Sequence, residues 1–174
     1  MATAFNNLYQ ARMDEYQVGT LPLYGYQNII ESWRNNNGSN LPVGVAVIQK
    51  TADDVEHGVA LPEVGTTAEK IVGFTILNRA FPVSSNAAYE PWEAKKECSI
   101  LEIGKIILLP LKGANKGENV HVYVSAGKFG QVTGAADSAD GASTVELLGC
   151  KWQETVGANE PCPVVVHNLT YKAS

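Results

Sequence analysis

Three histidines, three cysteines and two acidic clusters are the side chains able to carry chemistry, and their spacing limits what each can do. His57, His121 and His167 are far apart in the chain, with no HxH or HExxH pattern, so a metal site built on paired imidazoles has no starting point. They read as packing or surface histidines. Asp53-Asp54-Val55-Glu56-His57 is the densest polar cluster, and its carboxylates suit a hard cation. Its position between two apolar runs is, however, that of a solvated loop. Asp137-Ser138-Ala139-Asp140-Gly141 looks like a calcium loop but lacks the ligand spacing and closing Glu of one. Gly127-Lys128-Phe129-Gly130 fails as a phosphate loop, because Val122 holds the place of the first Gly and Phe129 that of the Ser or Thr. Cys98, Cys150 and Cys162 are odd in number and form no CxxC, which favours buried, inert thiols over a disulfide framework or zinc. No GxSxG offers a hydrolase nucleophile. No catalytic residue, metal ligand or cofactor is therefore expected.

Composition narrows the partners. The 174 residues allow one domain with a real core. Lys and Arg number 13 against 18 Asp and Glu, a net charge of -5, and the basic residues are scattered. Nucleic acid, whose phosphates need clustered cations, is not an expected partner. Nor is a membrane, since no stretch approaches the ~20 apolar residues of a spanning helix. Residues 1–10 lack the basic start and apolar run of a secretory signal. Synthesis in a cytosol is the expectation, which leaves the sequons Asn37-Gly38-Ser39 and Asn168-Leu169-Thr170 without significance.

The elements that would position these groups are strands. Runs at 43–48 and 71–77 flank a polar excursion broken by Pro62 and Gly65, and they read as the first hairpin of an all-β core. In the second run Val72, Phe74 and Ile76 share one face and Gly73 and Thr75 the other, the pattern of a strand with one buried side. Residues 78–98 read as a long surface loop, with a helical turn after Pro91. Residues 99–109 are aliphatic on both faces, which predicts burial on two sides, within a sandwich or beneath a sister subunit. Residues 120–125 alternate, Val120, Val122 and Val124 inward and His121 and Tyr123 outward. A weak strand at 129–133 follows, then a flexible tip at 135–143 and a closing pair at 144–152 and 162–169. The predicted class is all-β, a compact barrel or sandwich.

Residues 1–40 differ in character. They are rich in Asn, Gln and Tyr, and follow no strand period. A short helix is predicted at 26–34, where Ile29, Ile30 and Trp33 share a face, stopped by the asparagines from Asn35 and by Gly38. The chain thus divides into an extended amino-terminal arm, 1–40, and a β-rich core, 41–174. Aromatic anchors on a polar segment suit an interface with another chain. Tyr9, Tyr16, Tyr24, Tyr26 and Trp33 are the candidates for it.

The spacing of these runs resembles the structural cement (head decoration) proteins of tailed bacteriophages. The matching residues are Leu41-Pro42-Val43-Gly44-Val45-Ala46-Val47, Ala60-Leu61-Pro62 and Ile71-Val72-Gly73-Phe74-Thr75-Ile76. Further along are Val122-Tyr123, Gln131-Val132-Thr133-Gly134, the Gly149-Cys150-Lys151-Trp152 corner and Val164-Val165-Val166. The resemblance covers residue 41 to the end. It implies a β-rich homotrimer on the outside of a virion, bound to a shell of HK97-fold major capsid protein and bridging its capsomers. Ile106, Leu108 and Trp152 are then candidates for the trimer interface. Two other readings remain open: a β-barrel binding module, such as a head-fibre base or a carbohydrate-binding attachment protein with exposed aromatics near Phe81 or Trp92, and a trimeric enzyme of dUTPase-like shape.

Overall fold

The aliphatic run after Lys96 forms the longest strand, β5 (Glu97–Leu108), and the rest of the molecule is arranged on its two halves. The fold is that of a computed structural model, which describes residues 18–22, 27–50, 57–77, 91–125, 127–167 and 169. Among these, the strands before β5 are β1 (Ile29–Asn35), β2 (Ala46–Gln49), β3 (Gly58–Ala60) and β4 (Ile71–Thr75). Those after it are β6 (Asn119–Tyr123), β7 (Val132–Thr133), β8 (Thr144–Trp152) and β9 (Cys162–Val166). Two single 3-10 turns, at Ala68–Lys70 and Ala139–Gly141, are the helical elements of the described residues.

The first half of β5 pairs antiparallel with β1 on one edge and β4 on the other. β4 continues to β2, β2 to β3, and β3 back to β1 in parallel. The circuit β1-β3-β2-β4-β5 therefore closes into a barrel. The second half of β5 leaves the barrel and pairs with β9, register Gly104↔Val166 to Leu108↔Cys162, and a second sheet runs β5-β9-β8-β6-β7. On the far edge of β5, Gly19 N–H donates to the Ile107 carbonyl at 2.8 Å and Ile107 N–H to that of Thr20 at 3.0 Å.

Gly104 is the joint between the two sheets. Its φ is +136°, and a Cβ there would fall 2.1 Å from Asn28 Oδ1. That oxygen already accepts the Lys105 N–H at 3.1 Å. Only glycine leaves room for Asn28 to cap the turn where β5 changes partner.

The core follows from this division. Inside the barrel lie Trp33, Leu41, Val47, Val59, Cys98 and Ile100. A larger cluster joins the outer wall of the barrel to the second sheet, from Ala46, Phe74 and Leu101 to Ile106, Leu108, Val122, Leu147, Trp152 and Val164.

The all-β class is borne out, and β2 and β4 pair as the predicted hairpin. Four readings change. The 26–34 helix is strand β1, because β-branched Ile29 and Ile30 gain a full ladder against β5, which an isolated turn of helix cannot match. β4 is buried on both faces, since it is a wall between two cores. Val72 is an extra residue opposite β2, the register running Val47↔Gly73 to Ile48↔Ile71, and this bulge lets Ile71 and Phe74 join the same cluster. Gly73 faces the barrel interior, where a Cβ would fall 2.3 Å from Ile100 Cγ2. Tyr123 is fully buried rather than outward-facing.

Candidate functional site

The asparagine run from Asn35, expected to stop a helix, is a clasp across one end of the barrel. The Asn35 side chain, itself fully buried, donates to the carbonyls of Ser39 at 3.0 Å and Trp92 at 3.0 Å. Its Oδ1 accepts the Asn37 N–H at 2.9 Å. Asn36 donates to the Lys50 carbonyl, Asn37 accepts from Leu61 N–H, and Asn40 accepts from Ala94 N–H. Short amides reach main-chain groups that no strand partner satisfies, and a buried main-chain group left unpaired is costly. The sequence signal was present as four asparagines in six residues, but their partners are distant in the chain.

A second polar node is built on Asp137. Its Oδ2 accepts the Tyr123 hydroxyl at 2.7 Å, and its Oδ1 accepts the Lys112 ammonium at 2.8 Å and the Ala139 N–H at 3.0 Å. Lys128 Nζ stands 5.1 Å from the Tyr123 ring centroid, so the residue once weighed as a phosphate ligand makes a cation–π contact instead. The Lys112 ammonium, then the Tyr123 hydroxyl, hold the Asp137 carboxyl well below the usual carboxylate range. Burial, then the hydrogen bond to Asp137, pushes the Tyr123 phenol up to about 12.

The sign of the pH dependence follows from these directions. A depressed folded-state pKa gives stability that is present above the unfolded value, near ~4, and is lost as pH falls below it. The raised phenol acts oppositely, its contribution complete below ~10 and lost as pH rises toward the folded value. Asp137→Asn is therefore expected to lower the melting temperature at neutral pH and to narrow its gap to the native protein as pH falls from about 4 to about 2. Melting curves across that range check this; parallel curves for the two proteins would refute it.

The remaining chemistry-bearing groups are dispersed. Among the described residues no three His, Cys, Asp or Glu come together as a metal site. All three cysteines are buried and unpaired, as expected. Burial pushes the Cys98 thiol up to about 12 and raises those of Cys150 and Cys162. His57 packs edge-on against the Trp33 ring, centroids 5.2 Å apart, and His121 lies on β6 opposite Thr133 and Glu146. His167 is exposed beyond β9. The acidic run 53–56 lies outside the described residues.

Of the interface candidates, Tyr9, Tyr16, Tyr24 and Tyr26 lie outside the described residues. Trp33 is 7% exposed, inside the barrel. It points inward because it faces Cys98 across the β1–β5 ladder. Ile106, Leu108 and Trp152 are all 0% exposed. Their cover is the chain's own second sheet, so no face of theirs remains for a sister subunit. Trp92 is half-buried and donates its indole N–H to the Ile76 carbonyl at 2.9 Å, so it is no open sugar platform; Phe81 lies outside the described residues.

What the surface does present are partly exposed isoleucines around the β1–β5 bulge. Ile29, Ile30 and Ile103 are 46%, 42% and 37% exposed, with Ile29 opposite Ile103 in the ladder. Beside them a cavity of about 250 Å³ is lined by Trp33, Val72, Glu102, Ile103 and Leu169 among others. Burial, then the neighbouring Glu31 carboxylate, raises the Glu102 pKa.

Comparison with known proteins decides what kind of molecule carries this surface. Residues 5–167 match the family described as structural cement protein (E217 gp24/Pam3 gp6). The chain belongs to this phage cement family. Among solved structures, this cement protein is similar to one in the capsid of Myoviridae phage XM1, at 13% identity and a TM-score of 0.64, covering 88% of this chain and 91% of that one. The likeness shows a shared fold. It is also matched by the head fiber gp8.5 N base of bacteriophage phi29, at 11% identity and a TM-score of 0.45, covering 84% and 99% of the two chains. No curated protein matches it. The family assignment makes the cement protein a structural component of a phage capsid, as its motifs implied.

Proposed function

We propose that this cement protein binds the outer surface of a shell of HK97-fold capsid protein, as a homotrimer, and stabilises the shell by bridging neighbouring capsomers. It acts by contact alone, without catalysis. The observation that carries the reading is the family match over nearly the whole chain. Two physical features support it. The body is stiff, a barrel fused to a second sheet through one continuous strand. The chain also carries Tyr9, Tyr16, Tyr24 and Tyr26 in its first 26 residues, at positions that are not among the described residues.

Three such tyrosine-bearing segments on one trimer would engage separate capsid subunits. Each later contact is then intramolecular, which raises avidity by about 10²–10⁴ without tighter individual sites. Imaging shells assembled with and without the protein tests this directly. Expected is added density outside the shell, spanning adjacent capsomers, and later release of genome on heating. Density confined to the inner surface, or none at saturating protein, would overturn the reading. Light scattering of the isolated protein should give the mass of three chains.

A further inference from the structure

We infer that the outward edge of β1, at residues 30–32, accepts an added strand from the capsid protein, an extended segment with a Lys or Arg opposite Glu31. The inference rests on the capsid-binding reading and names the mode of one contact within it.

Among the described residues, β1 is paired along its length on one side only. Its register against β5 runs from Ile29↔Ile103 to Arg34↔Glu97, whereas β3 meets only Arg34 and Asn35. The Arg34 N–H donates to the His57 carbonyl at 2.9 Å, away from β5. Main-chain groups along a strand alternate in side, so those of Ile30 and Ser32 point the same way as those of Arg34. No described residue pairs with them there. Burial agrees: Ile29, Ile30, Glu31 and Ser32 are exposed in an unbroken run, and burial resumes at Trp33. A row of unpaired main-chain donors and acceptors is a template for another strand. The β-branched Ile29 and Ile30 suit the extended backbone that such pairing needs.

A second copy has little to offer this edge. Gly19 and Thr20 bond both main-chain groups of Ile107 at the far edge of β5, and the Val132 carbonyl of β7 accepts the Leu111 N–H at 2.9 Å. Two copies paired through the same edge would be isologous and would make a two-fold, which a three-fold assembly does not contain. The chain's own leader is also a poor strand. Residues 1–17 end at Val18, next to the Gly19 that is bonded to Ile107 on the other half of β5, and they follow no strand period. Residues 23–26 are only a short link between two described segments. Charge then selects among strands of other proteins. Glu31 is exposed on this edge strand and the chain carries a net charge of -5, so a cation opposite Glu31 makes an attractive cross-strand pair.

The test uses the full-length protein and shells assembled without it. Ser32→Pro removes one outward N–H and spares the β5 ladder, since proline is tolerated on an edge strand whose N–H faces solvent. Ile30→Lys puts a charge on the same edge, at a position 42% exposed, and serves if the proline variant does not fold. Val64→Ser, in the turn between β3 and β4 and 79% exposed, is the control. Both edge variants should melt close to the native protein and bind shells at least about ten-fold more weakly, while Val64→Ser binds normally. Glu31→Lys should weaken binding most at low salt; a salt-independent effect would refute the opposing cation. The Ile30 and Ser32 amides should exchange fast in the isolated protein and slowly on the shell. Native protein that binds while a folded edge variant binds equally well overturns the inference alone; native protein that fails to bind removes the capsid reading and the inference with it. Slow exchange of these two amides in the isolated protein also overturns the inference. In that case loss of oligomer mass in Ser32→Pro identifies a second copy as the occupant, and unchanged mass identifies the chain's own leader.

Discussion

Ile106→Glu is expected to give a chain that fails to fold. Ile106 is 0% exposed within the cluster shared by the barrel wall and the second sheet, which is made of Leu101, Leu108, Val164 and similar apolar residues. A carboxylate there has no cation and no donor. It must either ionise unsolvated or take up a proton, and with the lost packing the cost is about 4–5 kcal/mol or more. Domains of this size are stable by about 5–15 kcal/mol. Far-UV circular dichroism and size-exclusion at low temperature should therefore show an unfolded or aggregated product. Leu108→Glu should do the same. A folded monomer with native dichroism would mean that these side chains meet a sister subunit instead, and would sink the assignment of both to the subunit's own core.

Removing residues 1–36 is expected to destroy the body as well as any binding, whereas removing 1–17 should leave the body folded. The shorter deletion ends before Val18, and so spares the hydrogen bonds of Gly19 and Thr20 to Ile107. The longer one takes away β1, which opens the barrel, strips the first half of β5 of a strand partner and deletes Trp33 from the inner cluster. Loss of a large aromatic alone costs about 3–5 kcal/mol. The unpaired β5 edge would add an aggregation hazard. Thermal melts of the two truncated proteins separate these outcomes. Equal melting temperatures for both would contradict the placement of β1 in the barrel wall, and would restore an independent arm extending to residue 40.

The strands were legible wherever a run was long and apolar on both faces. β5 and β9 lie within a few residues of their predicted spans, because double-sided burial leaves a largely aliphatic signature. β1 was not legible. Its Glu31, Ser32 and Arg34 are polar, and Ile29, Ile30 and Trp33 fit a helical face as well as a strand; only the ladder against β5 decides between the two. The same ambiguity hid the roles of Trp33 and Trp152. A tryptophan suits an interface and a core equally by type, and its choice depends on what covers it.

Residue order alone settled the all-β class, the absence of sequence patterns for familiar catalysis, and the short motifs that place the chain among the cement proteins. These depend on local period and turn chemistry, which each stretch carries within itself. Tertiary structure decided that β5 belongs to two sheets, and that the asparagines clasp the barrel rather than end a helix. Those outcomes rest on contacts between segments distant in the chain, and no local pattern records which distant groups a closed barrel will bring together.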